Sequence, residues 1–582
     1  MESETRLVRI CIEAACETRE SVEKWRRQRR TLERIPSLLA DAILRRLIHR
    51  GLLFPSLLEV FKHSVEVVDL RGENAVDAEW IAYLGAFRCL SSLNLADCHR
   101  INSSALWALT GMTSLRELDL SRCAKVTDAG IKHLLSISTL EVLRISETGL
   151  TANGVTLISA LRNLSVLDLG GLPVTDAALS SLQVLKKLEY LDLWGSNITN
   201  KATTVLQLFP KLSFLNLAWT SITRLPNLSS LECLNLSNCV IESVSEGDGN
   251  KAPLTKLVYS GTTFANDADV FLHIEPTFLS FLDVSNSSLQ RFYFLTCMKM
   301  LEHLDLSSSM IGDDSVEFIA CIGSTLRNLN LCKTRVTTAG VEILAQHVPN
   351  LEFLSLSHTP IDDLAISYIG TIPSLKVVDL SNTNITGFIH QVGEEANLIP
   401  SLTALQRLNC LQSLNLEHTQ VRDVALDAIS SFQELSHLSL KSASLTDVAL
   451  HHLSPLSKLT NLAFCDAVLT NSALDLFIPP VYLKMLDLRG CWLLTEDAIS
   501  SFCKKHPLIK VKHELLDVSP SEQSSCNRSS PSRILLRPSQ MNGKQGKMPL
   551  SPYFIADQRL KYSREELLSL QCQASSHGSS DA

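Results

Sequence analysis

LRELDLSRCAKVTDAGIKHLL, residues 115–135, is the stretch that decides the fold of this chain. Leu115, Leu118 and Leu120 have the spacing of a short strand with its apolar side turned inward. Cys123 follows where the chain must turn, and Val126 returns to the interior. Thr127 or Asp128 can then cap a helix whose apolar face is Ile131, Leu134 and Leu135. One such unit cannot bury its own apolar face; stacked copies can share a continuous core. Copies are present. The phrase L-x-x-L-x-L recurs as LSSLNL at 90, LSVLDL at 164, LEYLDL at 188, LSFLNL at 212, LEHLDL at 301, LRNLNL at 326, LQSLNL at 411 and LKMLDL at 483. Degenerate copies run from VEVVDL at 65 to LIKVKH at 508, giving about 19 starts, most of them 22 to 25 residues apart.

The turn position is mostly Thr, Cys or Ser, among them Cys98, Cys123, Thr148, Thr220, Cys239, Thr334, Thr359, Thr383, Thr419 and Cys491. A small side chain fits that crowded corner and can bond local backbone. Helices open on T-D-x-A/G-Φ at Thr127, Thr175 and Thr446. On these features the chain resembles the leucine-rich repeat family, and within it the intracellular, cysteine-containing subfamily. The resemblance implies an α/β solenoid, a curved horseshoe with parallel strands on the concave face. We expect a helical N-terminal cap over 1–63, the solenoid over 64–516, and a disordered tail over 517–582.

A column of Asp and Asn lies between the second and third strand leucines, including Asp69, Asn94, Asp119, Asp168, Asp192, Asn216, Asp305, Asn330, Asp379, Asn415 and Asp487. It should face the concave side, either as an acidic ligand groove or as repeat consensus on a solvated surface. The regular spacing breaks in three places. The unit from 212 to 231 has 19 residues and no room for a helix; SEGDGNKAP at 245–253 is an added loop; and the interval 375–411 contains an insertion at 387–402, GFIHQVGEEANLIPSL. An insertion in one repeat belongs either to a binding face or to a tolerated surface loop.

Composition narrows the function. The 582 residues are 45% hydrophobic and 20% charged, with formal charge −8. The tail carries 8 basic and 6 acidic residues, so it is +2 and the rest is −10. An acidic body argues against direct nucleic-acid binding. The charged N-terminus lacks the apolar core of a secretory signal and no stretch is long enough to span a membrane, so we expect a cytoplasmic or nuclear protein with reduced cysteines. No phosphate loop, nucleophile elbow, zinc-protease helix or calcium loop is spelled anywhere, and no C-x-x-C pair occurs among the 16 cysteines. The chain reads as a binding scaffold without cofactor or metal, and not as an enzyme.

Both ends carry partner motifs. LVRICIEAACE places Leu7, Cys11 and Ala15 at L-x-x-x-C-x-x-x-A spacing. It resembles the elongin-binding box of ZYG-11-type ubiquitin-ligase receptors, although Arg6 stands where that box prefers a small residue. IPSLLADAILRRL at 35–47 faintly resembles the start of an F-box without its later tryptophan. Either resemblance implies a ligase adaptor as partner; the alternative is an amphipathic capping helix. The tail has 15 serines and 5 prolines in 66 residues, a composition that cannot bury a core. Within it, KYSREELLSLQ at 561–571 combines a capping box (Ser563, Glu566) with a hydrophobic staple (Tyr562, Leu567). That chemistry starts a helix over 562–571 once a partner buries its leucines. Tyr562, Leu567 and Leu568 spell Y-x-x-x-x-L-Φ, which resembles the motif by which translation regulators bind the mRNA cap-binding factor, eukaryotic initiation factor 4E. The resemblance gives those three residues the docking role. The sequence therefore supports a scaffold regulating translation initiation, with a substrate-recognition subunit of a cullin-type (SCF-like or elongin-type) ubiquitin ligase as the alternative.

Overall fold

The computed structural model describes residues 6–26, 35–225, 228–244, 251–266, 270–271, 274–390 and 398–516. It divides into two compact units, Met1–Pro360 and Ile361–Ala582.

In the first unit, three-residue parallel strands run in register from Val67–Asp69 through Ser92–Asn94, Glu117–Asp119 and onward to Phe353–Ser355. The middle residue of each is apolar, and the register stacks Val68, Leu93, Leu118, Leu143, Leu167, Leu191, Leu215 and Leu234 into one row. All eight are buried. Each leucine buried in this way stabilises by roughly 1.5–3 kcal/mol, and each also supplies the surface against which the next repeat packs. The second unit repeats the scheme with Val378, Leu414, Leu438, Leu462, Leu486 and Val511. The expected leucine-rich α/β solenoid is therefore the fold.

Returning segments vary. Some are α-helical, such as Asp128–Leu134 and Thr338–Ala345; others are 3-10 turns, such as Ala105–Leu109 and Tyr293–Cys297. Between Phe214–Asn216 and Cys233–Asn235 there is no helix; Arg224–Leu225 instead pairs in parallel with Ser243–Val244. A 19-residue repeat has too little chain for a helix and two turns.

Two polar ladders lock the repeats together. In the first, the Asp after the helix-capping Thr bonds the capping Thr of the next repeat. Asp128 accepts from the Thr151 N–H at 2.9 Å and its hydroxyl at 2.6 Å. Asp176 holds Thr199, Asp313 holds Thr337 and Asp423 holds Thr446 in the same way. The second ladder is the turn position. Thr hydroxyls donate to the carbonyl three residues back, as Thr334 to Leu331 at 2.7 Å, whereas Cys98 and Cys123 donate to the preceding repeat, to Leu70 at 3.1 Å and Leu95 at 3.2 Å. Burial pushes the Cys98 thiol up to about 11 and Cys123 to about 12, so both keep the proton they donate. The preceding residue takes a left-handed backbone in nearly every repeat, for example Arg122 at φ 60° and Trp219 at φ 59°.

N-terminally, the helix Arg6–Ala15 packs with Ser37–His49 through buried Ile12, Cys16, Leu44 and Leu47. Arg46 and Arg50 both bond Glu13 and hold its carboxyl below the usual range.

Candidate protein-binding surfaces

The Asp/Asn column has a defined structural task. At each site one side-chain oxygen accepts the backbone N–H two residues on: Asp119 from Ser121 at 2.9 Å, Asp192 from Trp194 at 3.0 Å, Asn216 from Ala218 at 3.1 Å, Asp379 from Ser381 at 3.1 Å and Asn415 from Glu417 at 3.0 Å. The bond closes the strand into the left-handed turn, and either Asp or Asn can make it. The column is therefore repeat consensus first. Its charge is a separate matter that differs from strand to strand.

On the open face of the first unit, the strands Val166–Asp168, Tyr190–Asp192, Phe214–Asn216 and Cys233–Asn235 are adjacent. The Tyr190 and Phe214 rings stack at 4.0 Å with planes 7° apart. Beside them stand Asp168 and Asp192, with Glu189 and Glu232 immediately before two of the strands. Burial pushes Asp192 up to about 6, against the pull of the Trp194 N–H and of the Asn216 amide, which donates to it at 2.9 Å. Burial also raises Asp168, against bonds from the Gly170 N–H and the Ser146 hydroxyl. Trp194 lies over Gly170 and Gly171; a Cβ on Gly170 would come within 2.3 Å of its indole nitrogen. Trp219 is 64% exposed. Sequence reading missed these aromatics, because they occupy different variable positions of separate repeats and only the register brings them together.

Other parts of this face are balanced in charge. A depression of about 420 Å³ nearer the N-terminus is lined by Arg71 and Arg144 as well as Glu117 and Asp119. In the second unit, Arg489 grips Asp487 at 2.7 Å and Lys441 lies 3.6 Å from Asp466.

The N-terminal motif is partly presented. Leu7 is 70% exposed and Cys11 is exposed, on the side of Arg6–Ala15 opposite buried Ile12 and Cys16. Ile10 extends this apolar stripe at 55% exposure, while Ala15 is half-buried. The structure thus brings Leu7 and Cys11 together and sets Ala15 at the margin. Tyr562, Leu567 and Leu568, with the helix expected over 562–571, lie outside the described residues.

The 387–402 insertion forms an antiparallel pair, Phe388–His390 with Leu398–Pro400. Asp363 anchors its base, accepting from Thr386, from the Gly387 N–H at 2.8 Å and from the Ser401 hydroxyl at 2.6 Å. Gly387 sits at φ +93°, and a Cβ there would come within 2.3 Å of the Ala425 Cβ. A depression of about 610 Å³ adjoins the insertion, with Pro400, Val424, Asp427 and His452 in its wall. Further on, Leu476, Ile478, Val481 and Tyr482 project into solvent at 61–87% exposure.

Among the described residues no helix is long and apolar enough to cross a membrane. A family model described as "Leucine Rich repeat" matches residues 111–135 and 297–320. The chain is 34% identical over 102 residues to F-box/LRR-repeat protein 12 of Arabidopsis thaliana, a match that takes in 17% of this chain and 25% of that protein. It therefore spans about a quarter of the length of the curated relative it matches. Among solved structures it is similar to an internalin of Listeria monocytogenes (TM-score 0.35, 18% identity, 72% of this chain and 93% of that one). It is also similar to a leucine-rich-repeat protein of Leptospira interrogans (TM-score 0.39, 17% identity, 76% and 95%). By its repeat lattice, its turn chemistry and the family match, the chain is a leucine-rich-repeat protein, a scaffold for protein–protein interaction.

Proposed function

We propose that this scaffold regulates translation initiation in the cytoplasm by binding the mRNA cap-binding factor, eukaryotic initiation factor 4E, through Tyr562, Leu567 and Leu568. The observation that carries the reading is the coincidence of Y-x-x-x-x-L-L with a capping box and a staple in eleven residues of the tail. The combination of leucine-rich repeats with such a motif resembles the plant translation regulator CERES. Burying two leucines contributes on the order of 3–6 kcal/mol before ordering costs. The test is calorimetric titration of the full chain against the purified factor. Leu567→Ala/Leu568→Ala should weaken binding at least about tenfold, since about 1.4 kcal/mol is one decade, and Tyr562→Ala should do the same. Equal affinity of wild type and variants would end this reading.

A second reading, a substrate-recognition subunit of a cullin-type ubiquitin ligase, is favoured by the exposed stripe of Leu7, Ile10 and Cys11 and by the partial likeness to an F-box/LRR-repeat protein. Leu7→Ser/Cys11→Ser should then abolish co-purification of elongin- or cullin-type partners from cells while the circular dichroism spectrum is unchanged. Absence of any ligase subunit with wild type would remove it.

A further inference from the structure

The strands Val166–Asp168, Tyr190–Asp192, Phe214–Asn216 and Cys233–Asn235 present, on one solvent face, aromatic rings and carboxylates with no cation among them. Positions 165–170, 189–194, 213–218 and 232–237 contain Asp168, Glu189, Asp192 and Glu232, but neither Lys nor Arg. Among the described residues none of these four acids has an ion-pair partner, whereas elsewhere on the sheets Arg116, Arg327 and Arg489 each hold a carboxylate. Charge is thus left uncompensated in the one place where it is walled by aromatic rings. A buried carboxylate beside apolar surface is costly without a cation, and the same position takes Asn in neighbouring repeats, as at Asn216 and Asn235.

Two further observations concern the aromatics. Trp219 is solvent-exposed in a left-handed backbone (φ 59°), a position where other repeats place Gly171, Gly195 or Asn238. A bulky residue there carries strain, and such strain is concentrated at binding sites. On the same sheet face, Lys256 Nζ sits 4.5 Å from the centre of the Phe281 ring, so an intramolecular ammonium already uses this surface as it would be used by a ligand.

We infer that this face of the first unit binds an extended peptide segment of a partner protein that carries Lys or Arg side chains. The cationic heads meet Asp192, Asp168 and the flanking Glu189 and Glu232, and the stems lie on Tyr190, Phe214 and Trp194. Four strands at about 4.8 Å spacing span about 15 Å, the reach of four or five extended residues. Nucleic acid is repelled by this charge. No group of three or more His, Cys, Asp or Glu among the described residues is arranged to hold a metal ion, which leaves a cation carried on a side chain. The site is independent of the tail motif, so it stands or falls separately from the translation-factor reading.

The experiment is fluorescence anisotropy of the full-length chain with three labelled decapeptides, (Arg-Ser)5, (Gln-Ser)5 and (Glu-Ser)5. The arginine peptide should bind at least tenfold more tightly than the other two. Asp192→Asn retains the acceptor for the Trp194 N–H, and Trp194→Arg places at 194 the residue type that Arg489 shows to be accepted two residues after the column acid. Each should weaken arginine-peptide binding at least tenfold, and Tyr190→Ala should act in the same direction. Asp69→Asn, the same charge change elsewhere in the column, should leave it unchanged. Equal binding of the glutamine or glutamate peptide overturns the inference. So does wild-type affinity in both Asp192→Asn and Trp194→Arg, or an equal loss in Asp69→Asn, which would reduce the effect to overall charge.

Discussion

Asp192 and Asp487 occupy the same register position in different units, and both are nearly inaccessible, at 7% and 5% exposure. Both accept the N–H two residues on. Yet burial holds Asp192 up near 6, while for Asp487 burial is overcome by the hydrogen bonds and charge of Arg489, which bring it below the ordinary carboxylate range. The residue two positions on decides the outcome: Trp194 in one case, Arg489 in the other. Arg489 meets the carboxylate with Nε at 2.9 Å and Nη2 at 2.7 Å, a forked contact an indole cannot make. One consensus acid is thus a satisfied structural group in the second unit and an uncompensated charge in the first.

The largest test breaks the comparison outright. Leu191 and Leu486 lie beneath the two acids and are fully buried. Leu191→Asp or Leu486→Asp places a charge in the shared leucine row and should cost about 4 kcal/mol or more. Urea denaturation followed by circular dichroism measures this, and a native midpoint would show that the row is not the core.

Next, Arg489→Trp makes the second site resemble the first. It strands a buried carboxylate and should cost about 1–3 kcal/mol at pH 7.5. The sign with pH follows from the depressed value of Asp487. Its contribution in the wild type is present above the ordinary carboxylate pKa and is lost as pH falls through the lower folded value. The difference between wild type and variant should therefore shrink on acidification; a constant gap from pH 7.5 to 3 would mean that the arginine acts by packing alone.

Asp192→Asn works in the opposite direction. A folded value near 6 against an ordinary 3.8 means the native state holds the proton more tightly than the unfolded chain. Stability is then lost as pH rises from about 4 to 6, by about 3 kcal/mol at 1.36 kcal/mol per pH unit. Asparagine removes that cost but gives up the bond from the Asn216 amide, worth about 1 kcal/mol. The variant should be more stable than wild type by about 1–2 kcal/mol at pH 7.5 and no more stable at pH 4. Denaturation midpoints at both pH values provide the check; a less stable variant at pH 7.5 would show the acid to be structurally compensated.

The smallest effect concerns the turn ladder shared by both units. Ser287 and Ser309 occupy the Thr/Cys position, but their buried hydroxyls have no partner, whereas Thr334 and Thr419 bond the carbonyl three residues back. Ser309→Thr should recover that bond and add a buried methyl group, raising stability by about 0.5–1.5 kcal/mol. An unchanged thermal midpoint would place the difference in local geometry and not in the missing methyl.

The repeat itself was legible because its leucines recur at a nearly fixed interval, and each copy independently votes for the same phase. The turn residues were legible for the same reason. The Thr-Asp pair was read as a helix start, which is half of its role: Asp128 serves Thr151, 23 residues away, and that bond exists only between stacked repeats. The column was read correctly as one line of acids and amides, but its charge state was not legible. Tyr190 and Phe214 lie 24 residues apart and carry no motif; they become one surface because parallel register places them side by side.

By itself, then, the sequence determined the α/β repeat, its phase, the irregular copies and the spelling of the two terminal motifs, because each depends on spacing along the chain. The tertiary structure decided which Leu7–Ala15 side chains face outward, how Asp363 ties down the insertion, and which acids of the column are neutralised. Burial, and the cation that does or does not stand opposite a carboxylate, are set by neighbours a full repeat away or by one residue's geometry at a turn, and neither is encoded in the local pattern.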